Sequence, residues 1–129
     1  MEFDFAAYVK DFNLNDDASL IRKYYRPDAV IEGPDRTFRN REEWLDVLKF
    51  SHNGVREEIH PIMVVREGDR MMAELNIVFT PSIDRPDFPA APLKAGKPLK
   101  MRFFASYVLR DGQIAELHLG WWMPGLRAV

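Results

Sequence analysis

Residues 100–123 read KMRFFASYVLRDGQIAELHLGWWM, two runs of strand-forming residues joined by Asp111-Gly112. Aspartate followed by glycine is typical of a two-residue hairpin turn, because both residues can adopt a positive φ. The stretch therefore predicts an antiparallel hairpin, with strands at about 100–110 and 113–123.

Pairing outward from this turn without a bulge divides the side chains between two faces. One face is expected to hold Arg102, Phe104, Ser106, Val108, Ala115, Leu117, Leu119 and Trp121. The other is expected to hold Met101, Phe103, Ala105, Tyr107, Leu109, Ile114, Glu116, His118 and Trp122. Both faces are largely apolar, so both should be covered, one by the chain's own helices and the other by a second copy of the chain.

Apolar residues at helical spacing predict three helices in the first part of the chain. Asn15 or Asp16 can cap the second helix, and Pro27 is expected to end it, because proline offers no backbone donor. Asn40 and Glu43 have the spacing of a capping box at the start of the third helix. The first and third helices are predicted at about 3–12 and 41–52.

Strands are predicted ahead of the hairpin, at about 29–31, 37–38, 55–66 and 70–80. Helices gathered early and antiparallel strands gathered late predict the α+β class rather than alternating parallel units. The proline-rich stretch 81–98 is a long connection. It is interpreted either as a flap beside a cavity or as a plain connection along a sheet edge.

The chain has 129 residues and a formal net charge of −2. These values predict one domain over 1–129 and give no basic field that would attract nucleic acid. The absence of cysteine excludes disulfides and thiolate chemistry, and we expect a cytoplasmic location. Acidic residues interrupt the N-terminus MEFDF, unlike a signal peptide, and no apolar run is long enough to span a membrane.

Three segments resemble the nuclear transport factor 2-like superfamily, in particular its SnoaL-like and ketosteroid-isomerase-like branch. They are YRPDAVIEGP at 25–34, the helix start at 40–43, and Asp111-Gly112-Gln113-Ile114 followed by Trp121. The resemblance covers nearly the whole chain. It implies a cone-shaped, curved antiparallel sheet that wraps around the N-terminal helices, with a pocket at its open end. It also implies homodimers that pack through the outer sheet face.

A steroid isomerase of that branch uses a tyrosine on the first helix, a base carboxylate after the first strand and an acid on the penultimate strand. Tyr8 looks like the tyrosine, but Gly33 and Ser106 stand at the base and acid positions, so that isomerisation is not expected. An epoxide hydrolase of this fold would need an acid beside Arg102, which only Glu74 could supply.

SnoaL-like polyketide cyclases need little beyond one acid/base carboxylate or histidine and an apolar cavity. The candidates are Glu74, His60 and His118. Glu74 can transfer a proton there only if its side of the strand faces inward, which the sequence leaves open. His118 is expected on the outer face. No third ligand accompanies Glu58 and His60, so neither a metal nor a cofactor is expected.

The first hypothesis is a SnoaL-like homodimer whose pocket binds a hydrophobic small molecule with a carbonyl or acidic group. Cofactor-free isomerase, cyclase or dehydratase chemistry would follow from it. The second hypothesis is a non-catalytic ligand-binding or dimeric interaction module. The candidate catalytic residues are Tyr8 and Glu74. The candidate ligand-binding residues are Tyr25, Arg102, Phe104, Ser106, Leu119 and Trp121. No nucleic-acid or membrane partner is expected, and His52, at a helix C-terminus, is interpreted as structural.

Overall fold

The computed structural model describes residues 2–122, so the predicted strand end at Met123 lies outside the described residues. Its helices are α1 (Phe5–Phe12), α2 (Asp17–Tyr24) and α3 (Arg41–Ser51). Its strands are β1 (Tyr25–Glu32), β2 (Thr37–Phe38), β3 (Val55–Glu67), β4 (Arg70–Pro81), β5 (Leu99–Arg110) and β6 (Gln113–Trp122). The predicted α+β class is confirmed. Among residues 2–122, no helix has the length and apolar character needed to cross a membrane.

The strands form one curved sheet in the order β2-β1-β6-β5-β4-β3. Neighbouring strands from β3 to β6 run antiparallel, β1 pairs with β6 in parallel, and β2 pairs with β1 at one edge. The apolar stripes of the helices pack against one side of this sheet and form the core with it. We call this side the inner face and the opposite side the outer face.

Side-chain caps begin the helices as the sequence predicts for α2 and α3. The carboxylate of Asp16 accepts from the amide of Ser19 at 3.2 Å, and the side chain of Asn40 accepts from the amide of Glu43 at 3.0 Å. Pro27 does not end α2 directly. The backbone is already extended at Tyr25, and β1 begins there, upstream of the proline.

The hairpin turn is the predicted one. Asp111 and Gly112 have φ values of 53° and 75°, the left-handed conformation that both central residues of this turn require. Arg110 pairs with Gln113 across it, as expected.

The register beyond the turn differs from the prediction because β6 contains a bulge. Leu109 pairs with Ile114, but the next pair along the strands is Val108 with Glu116. Ala115 is therefore an extra residue on β6, and it shifts the rest of the ladder by one position. A shift of one residue exchanges the faces of all the side chains it affects, relative to the partner strand.

The bulge makes the predicted faces of β5 wrong. Arg102, Phe104 and Ser106 lie on the outer face, whereas the buried or cavity-lining residues of β5 are Met101, Phe103, Ala105, Tyr107 and Leu109. The prediction for the later part of β6 is confirmed, since Leu117, Leu119 and Trp121 face inward. His118 and Trp122 pair with Ser106 and Arg102 on the outer face.

Candidate functional site

An apolar cavity lies between the helices and the inner face, with a volume of about 180 Å³. Aromatic and aliphatic side chains line most of it, as is usual for sites that bind small organic molecules. Besides three tyrosines, the aromatic residues of the lining are Phe12, Phe38, Trp44, Phe79, Phe88, Phe103 and Trp121. Leu119 and Trp121, which the sequence predicts to contact a ligand, belong to this lining.

Two tyrosine hydroxyls meet at the wall of the cavity. Tyr8 comes from α1 and Tyr25 from β1, and their oxygens are 2.8 Å apart. Both side chains line the cavity and are almost wholly buried. Both tyrosines therefore lie where a ligand in the cavity could contact them, and their catalytic and ligand-binding roles stay predictions.

Burial raises the pKa of the Tyr25 hydroxyl to about 12, although the hydrogen bond with Tyr8 and the nearby indole of Trp44 act in the opposite direction. Burial also places the pKa of Tyr8 well above its ordinary value, with a further contribution from Tyr25. Both hydroxyls are thus neutral near pH 7. The indole Nε1 of Trp44 is buried and has no hydrogen-bond partner within residues 2–122.

Tyr107 adds a third phenol to the same wall. It lines the cavity from β5, and its ring centroid lies 6.5 Å from that of Tyr8. Burial raises the pKa of Tyr107 well above the usual value, and the nearby Tyr25 adds to the rise. The described residues offer its hydroxyl no side-chain hydrogen bond, so this donor is available to a ligand.

An array of charged side chains, Asp17, His52 and Glu57, also reaches the cavity. The imidazole of His52, at the C-cap of α3, has its Nε2 2.7 Å from a carboxylate oxygen of Glu57 on β3. Its Nδ1 lies 2.8 Å from the carboxylate of Asp17, in the first turn of α2. Glu57 lines the cavity and is only 9% exposed.

Burial alone would lower the pKa of His52, but the hydrogen bonds to Asp17 and Glu57 outweigh it and raise the pKa to about 9. His52 is therefore an imidazolium near pH 7, and each of its nitrogens donates to a carboxylate. The array carries one net negative charge. The described residues contain no group of three or more side chains arranged to hold a metal ion.

The backbone around Glu57 is fixed on both sides, although β3 is an edge strand. On one side Glu57 pairs with Phe79 of β4. On the other, the side-chain amide of Asn15 exchanges two hydrogen bonds of 3.2 Å with the backbone of Glu57. Asn13 does the same for Ile59, at 3.0 and 2.8 Å. The connection between α1 and α2 thus takes the place of a neighbouring strand.

The stretch 81–98 forms another wall. Phe88, Pro89 and Ala90 line the cavity, which confirms the interpretation that this stretch lies beside one. Arg85 attaches it to the end of α3. Its guanidinium donates to the carbonyls of Ser51, at 3.3 Å, and Asn53, at 2.6 Å. Whether the stretch opens as a flap stays a prediction.

Four of the predicted site residues lie away from this cavity. Arg102 binds Glu74 at 2.5 Å and Asn76 at 3.1 Å on the outer face, and Ser106 and Phe104 share that face. The bulge at Ala115 is the cause for β5, and pairing with β5 places Glu74 outward as well. Neither the arginine–acid pair nor Ser106 is therefore positioned for chemistry in the cavity.

Glu57 is not among the site residues predicted from the sequence, although the sequence contains a signal for it. Glu57 alternates with Val55 and Ile59, so it is a carboxylate on the apolar side of its strand. His52 was singled out only for its helix terminus. Its contacts with Asp17 and Glu57 join three separate elements, which spacing along the chain does not reveal.

Comparison with known proteins identifies a family and several solved structures with a similar fold. The SnoaL-like domain family model matches residues 5–117. A comparison with curated protein sequences found no significant match. IdmH, a candidate polyketide cyclase from Streptomyces antibioticus, is 28% identical, with a TM-score of 0.74 over 91% of this chain and 88% of IdmH.

Two further solved structures share the fold at lower identity. A candidate polyketide cyclase from Xanthomonas campestris pv. campestris has a TM-score of 0.75 at 21% identity, over 90% of this chain and 85% of its own. An epoxide hydrolase of the LEH-like type from M. tuberculosis has a TM-score of 0.71 at 12% identity, over 92% of this chain and 79% of its own. These likenesses show the fold.

Proposed function

Because the chain belongs to the SnoaL-like domain family, we propose that its cavity binds one small, mostly apolar organic molecule with a carbonyl or acidic group. The observation that carries this proposal is the Tyr8–Tyr25 hydroxyl pair in the wall of an otherwise apolar cavity. A neutral phenol pair is a hydrogen-bond donor to a ligand oxygen, and such polar groups orient ligands in apolar pockets.

Cofactor-free acid/base chemistry on that molecule, of an isomerase, cyclase or dehydratase type, is the catalytic form of the proposal. Two observations support it. The neutral tyrosines can donate hydrogen bonds to a developing oxyanion, and the chain is similar to IdmH, a candidate polyketide cyclase. The steroid-isomerase arrangement does not apply, because Gly33 lines the cavity without a carboxylate and Ser106 faces outward.

Naphthol tests the binding proposal, since it combines a flat apolar body with one oxygen. We expect saturable binding of one naphthol per chain in isothermal titration calorimetry. Val47→Trp, which fills the cavity, should abolish binding, whereas Leu14→Trp on the exposed α1–α2 connection should not affect it. Equal binding by the wild-type protein and Val47→Trp would contradict the proposal.

A second copy of the chain is the proposed partner of the outer face. This face and the adjoining end of β3 expose large apolar side chains, as protein interfaces do: Ile62, Met63, Val65, Met72, Phe104 and Trp122. A purely dimeric interaction module is the alternative function that this observation favours.

Sedimentation equilibrium tests the dimer. Met72→Lys places a charge in the middle of the outer apolar patch, and we expect it to shift the protein from dimer to monomer. Leu14→Lys is the matched control, because Leu14 is an exposed apolar residue of the α1–α2 connection and does not lie on the outer face. A wild-type protein that sediments as a monomer would contradict the proposed partner.

A further inference from the structure

We propose that Glu57 is the proton acceptor of the cavity and that His52 and Asp17 are positioning residues that hold its carboxylate. This assignment rests on the proposed function, because it names the base that would act on the bound molecule. Glu57 takes the role that the sequence suggested for Glu74, because Glu74 lies on the outer face and pairs with Arg102 there.

Glu57 has the geometry of a usable base. One carboxylate oxygen accepts from His52 Nε2 at 2.7 Å. The other oxygen accepts no hydrogen bond within residues 2–122. It is not fully buried, so a ligand in the cavity can reach it. Among the described carboxylates that line the cavity, Asp35 is exposed at the rim and Glu57 is buried.

The base and the oxygen-binding phenols belong to one site. Glu57 and the tyrosines Tyr8 and Tyr25 line the same cavity. The charge of Glu57 also reaches both phenols, because it adds to the rise in their pKa values that burial causes. A molecule in this cavity can therefore present a carbonyl oxygen to the tyrosines and an adjacent C–H to Glu57.

The reaction class follows from these two contacts. Glu57 takes a proton from the carbon next to the carbonyl, and the C–H electron pair forms a C=C bond while the carbonyl oxygen becomes an enolate. The tyrosine hydroxyl donates to that oxygen and stabilises its charge. Glu57 then returns the proton to a different carbon, which regenerates the carboxylate and gives an isomer. The substrate class is thus a small ketone-like molecule with an acidic C–H.

The contacts among Asp17, His52 and Glu57 explain how the carboxylate of Glu57 keeps one orientation. The imidazolium of His52 is held between Asp17 and Glu57, and its Nε2 donates to one oxygen of the Glu57 carboxylate. No other titratable group is hydrogen-bonded to His52 within residues 2–122, and the ring of Phe12 packs edge-on against it. Asn15 fixes the Glu57 backbone from the same direction.

Proton abstraction from nitrobenzisoxazole tests the assignment without knowledge of the natural substrate. A base removes the single ring C–H proton, the N–O bond breaks, and the products are a nitrile and a coloured phenolate, so no co-reactant is needed. We expect the protein to accelerate this reaction over acetate at equal carboxylate concentration. Glu57→Gln should lower the rate by about 100-fold, the usual size of a general-base contribution.

Glu58→Gln is the matched control, because Glu58 is the next residue of β3 and points to the other face. Its rate should stay at the wild-type value. A Glu57→Gln variant that keeps the wild-type rate and a wild-type circular dichroism spectrum would overturn the proposal, as would a wild-type rate no greater than that of acetate.

The positioning roles have their own readout in the pH–rate profile. His52→Gln removes a cation next to the carboxylate, so the acid limb of the profile should move to higher pH. Asp17→Asn should move it less, because Asp17 acts through His52. An acid limb that stays in place in both variants would overturn the positioning roles.

Quenching of tryptophan fluorescence by nitrobenzisoxazole separates this proposal from the proposed function, since Trp44 and Trp121 line the cavity. Binding without carboxylate-dependent turnover would overturn the assignment of Glu57 and leave the binding proposal standing. If the protein showed no quenching and no turnover, both proposals would be contradicted.

Discussion

The hydroxyl oxygens of Tyr8 and Tyr25 lie 2.8 Å apart, although the residues belong to different elements and are 17 positions apart in the sequence. One proton serves the bond between them, and the other remains for a ligand. The pair is therefore a neutral donor built into an apolar wall.

Removal of one hydroxyl should weaken ligand binding more than it weakens the fold. We expect Tyr25→Phe to lower the affinity for naphthol by about tenfold, or about 1.4 kcal/mol, because one donor is lost and Tyr8 is left unpaired. Calorimetry provides the measurement. Tyr24→Phe is the control, since the hydroxyl of Tyr24 binds Asp11 outside the cavity. A similar loss of affinity in both variants would mean that the tyrosine pair has no particular role.

The sequence was sufficient to predict the order of elements, because each signal is local. Asp111-Gly112 produces the turn, Asp16 and Asn40 cap their helices, and the three observations need no knowledge of distant contacts. The expected role of Tyr8 followed from the family resemblance, which carries information on tertiary structure that local signals lack.

The faces of β5 could not be predicted with the same security. Both faces of the hairpin are largely apolar, so alternation does not select a register, and the bulge at Ala115 has no sequence signal of its own. One hint was available. The alternate positions from Met101 to Leu109 contain no charged residue, whereas the opposite set includes Arg102. The Asp17–His52–Glu57 array depends on three elements meeting, which periodicity within one element does not predict.

Arg102→Ala should leave the cavity unaffected. Its guanidinium pairs with Glu74 and Asn76 on the outer face, so we expect the affinity for naphthol to remain unchanged within about twofold. The loss in free energy of unfolding should be about 1 kcal/mol or less, since the pair is partly exposed. Calorimetry and urea denaturation provide the two measurements. A large loss of affinity would restore the ligand-binding role that the sequence suggested.

Arg85→Ala should both destabilise the protein and loosen the wall formed by 81–98. Its buried guanidinium donates to two carbonyls at the end of α3 and packs 4.9 Å from the ring of Phe50. We expect a loss of about 3 kcal/mol in the free energy of unfolding, measured with urea, and faster proteolysis within 81–98. Arg110→Ala is the control, because Arg110 is exposed at the end of β5. Proteolysis at the wild-type rate would show that Arg85 does not hold the wall in place.

The charged array predicts a stability that depends on pH in a defined direction. The pKa of His52 is about 9 in the folded protein, compared with 6.5 for a solvent-exposed histidine such as that of the unfolded chain. A raised folded-state pKa stabilises the fold fully below pH 6.5, and this contribution decreases as the pH rises and is absent above about 9. The shift corresponds to about 3 kcal/mol at most.

Urea denaturation from pH 6 to 10, read against matched variants, measures this contribution. The difference in free energy of unfolding between the wild-type protein and His52→Gln should be largest at pH 6 and should shrink toward pH 9, because deprotonated His52 no longer gains from both carboxylates. His60→Gln, at an exposed position of β3, should keep the wild-type pH dependence. A difference that is constant or grows with pH would show that His52 is not a buried imidazolium between Asp17 and Glu57.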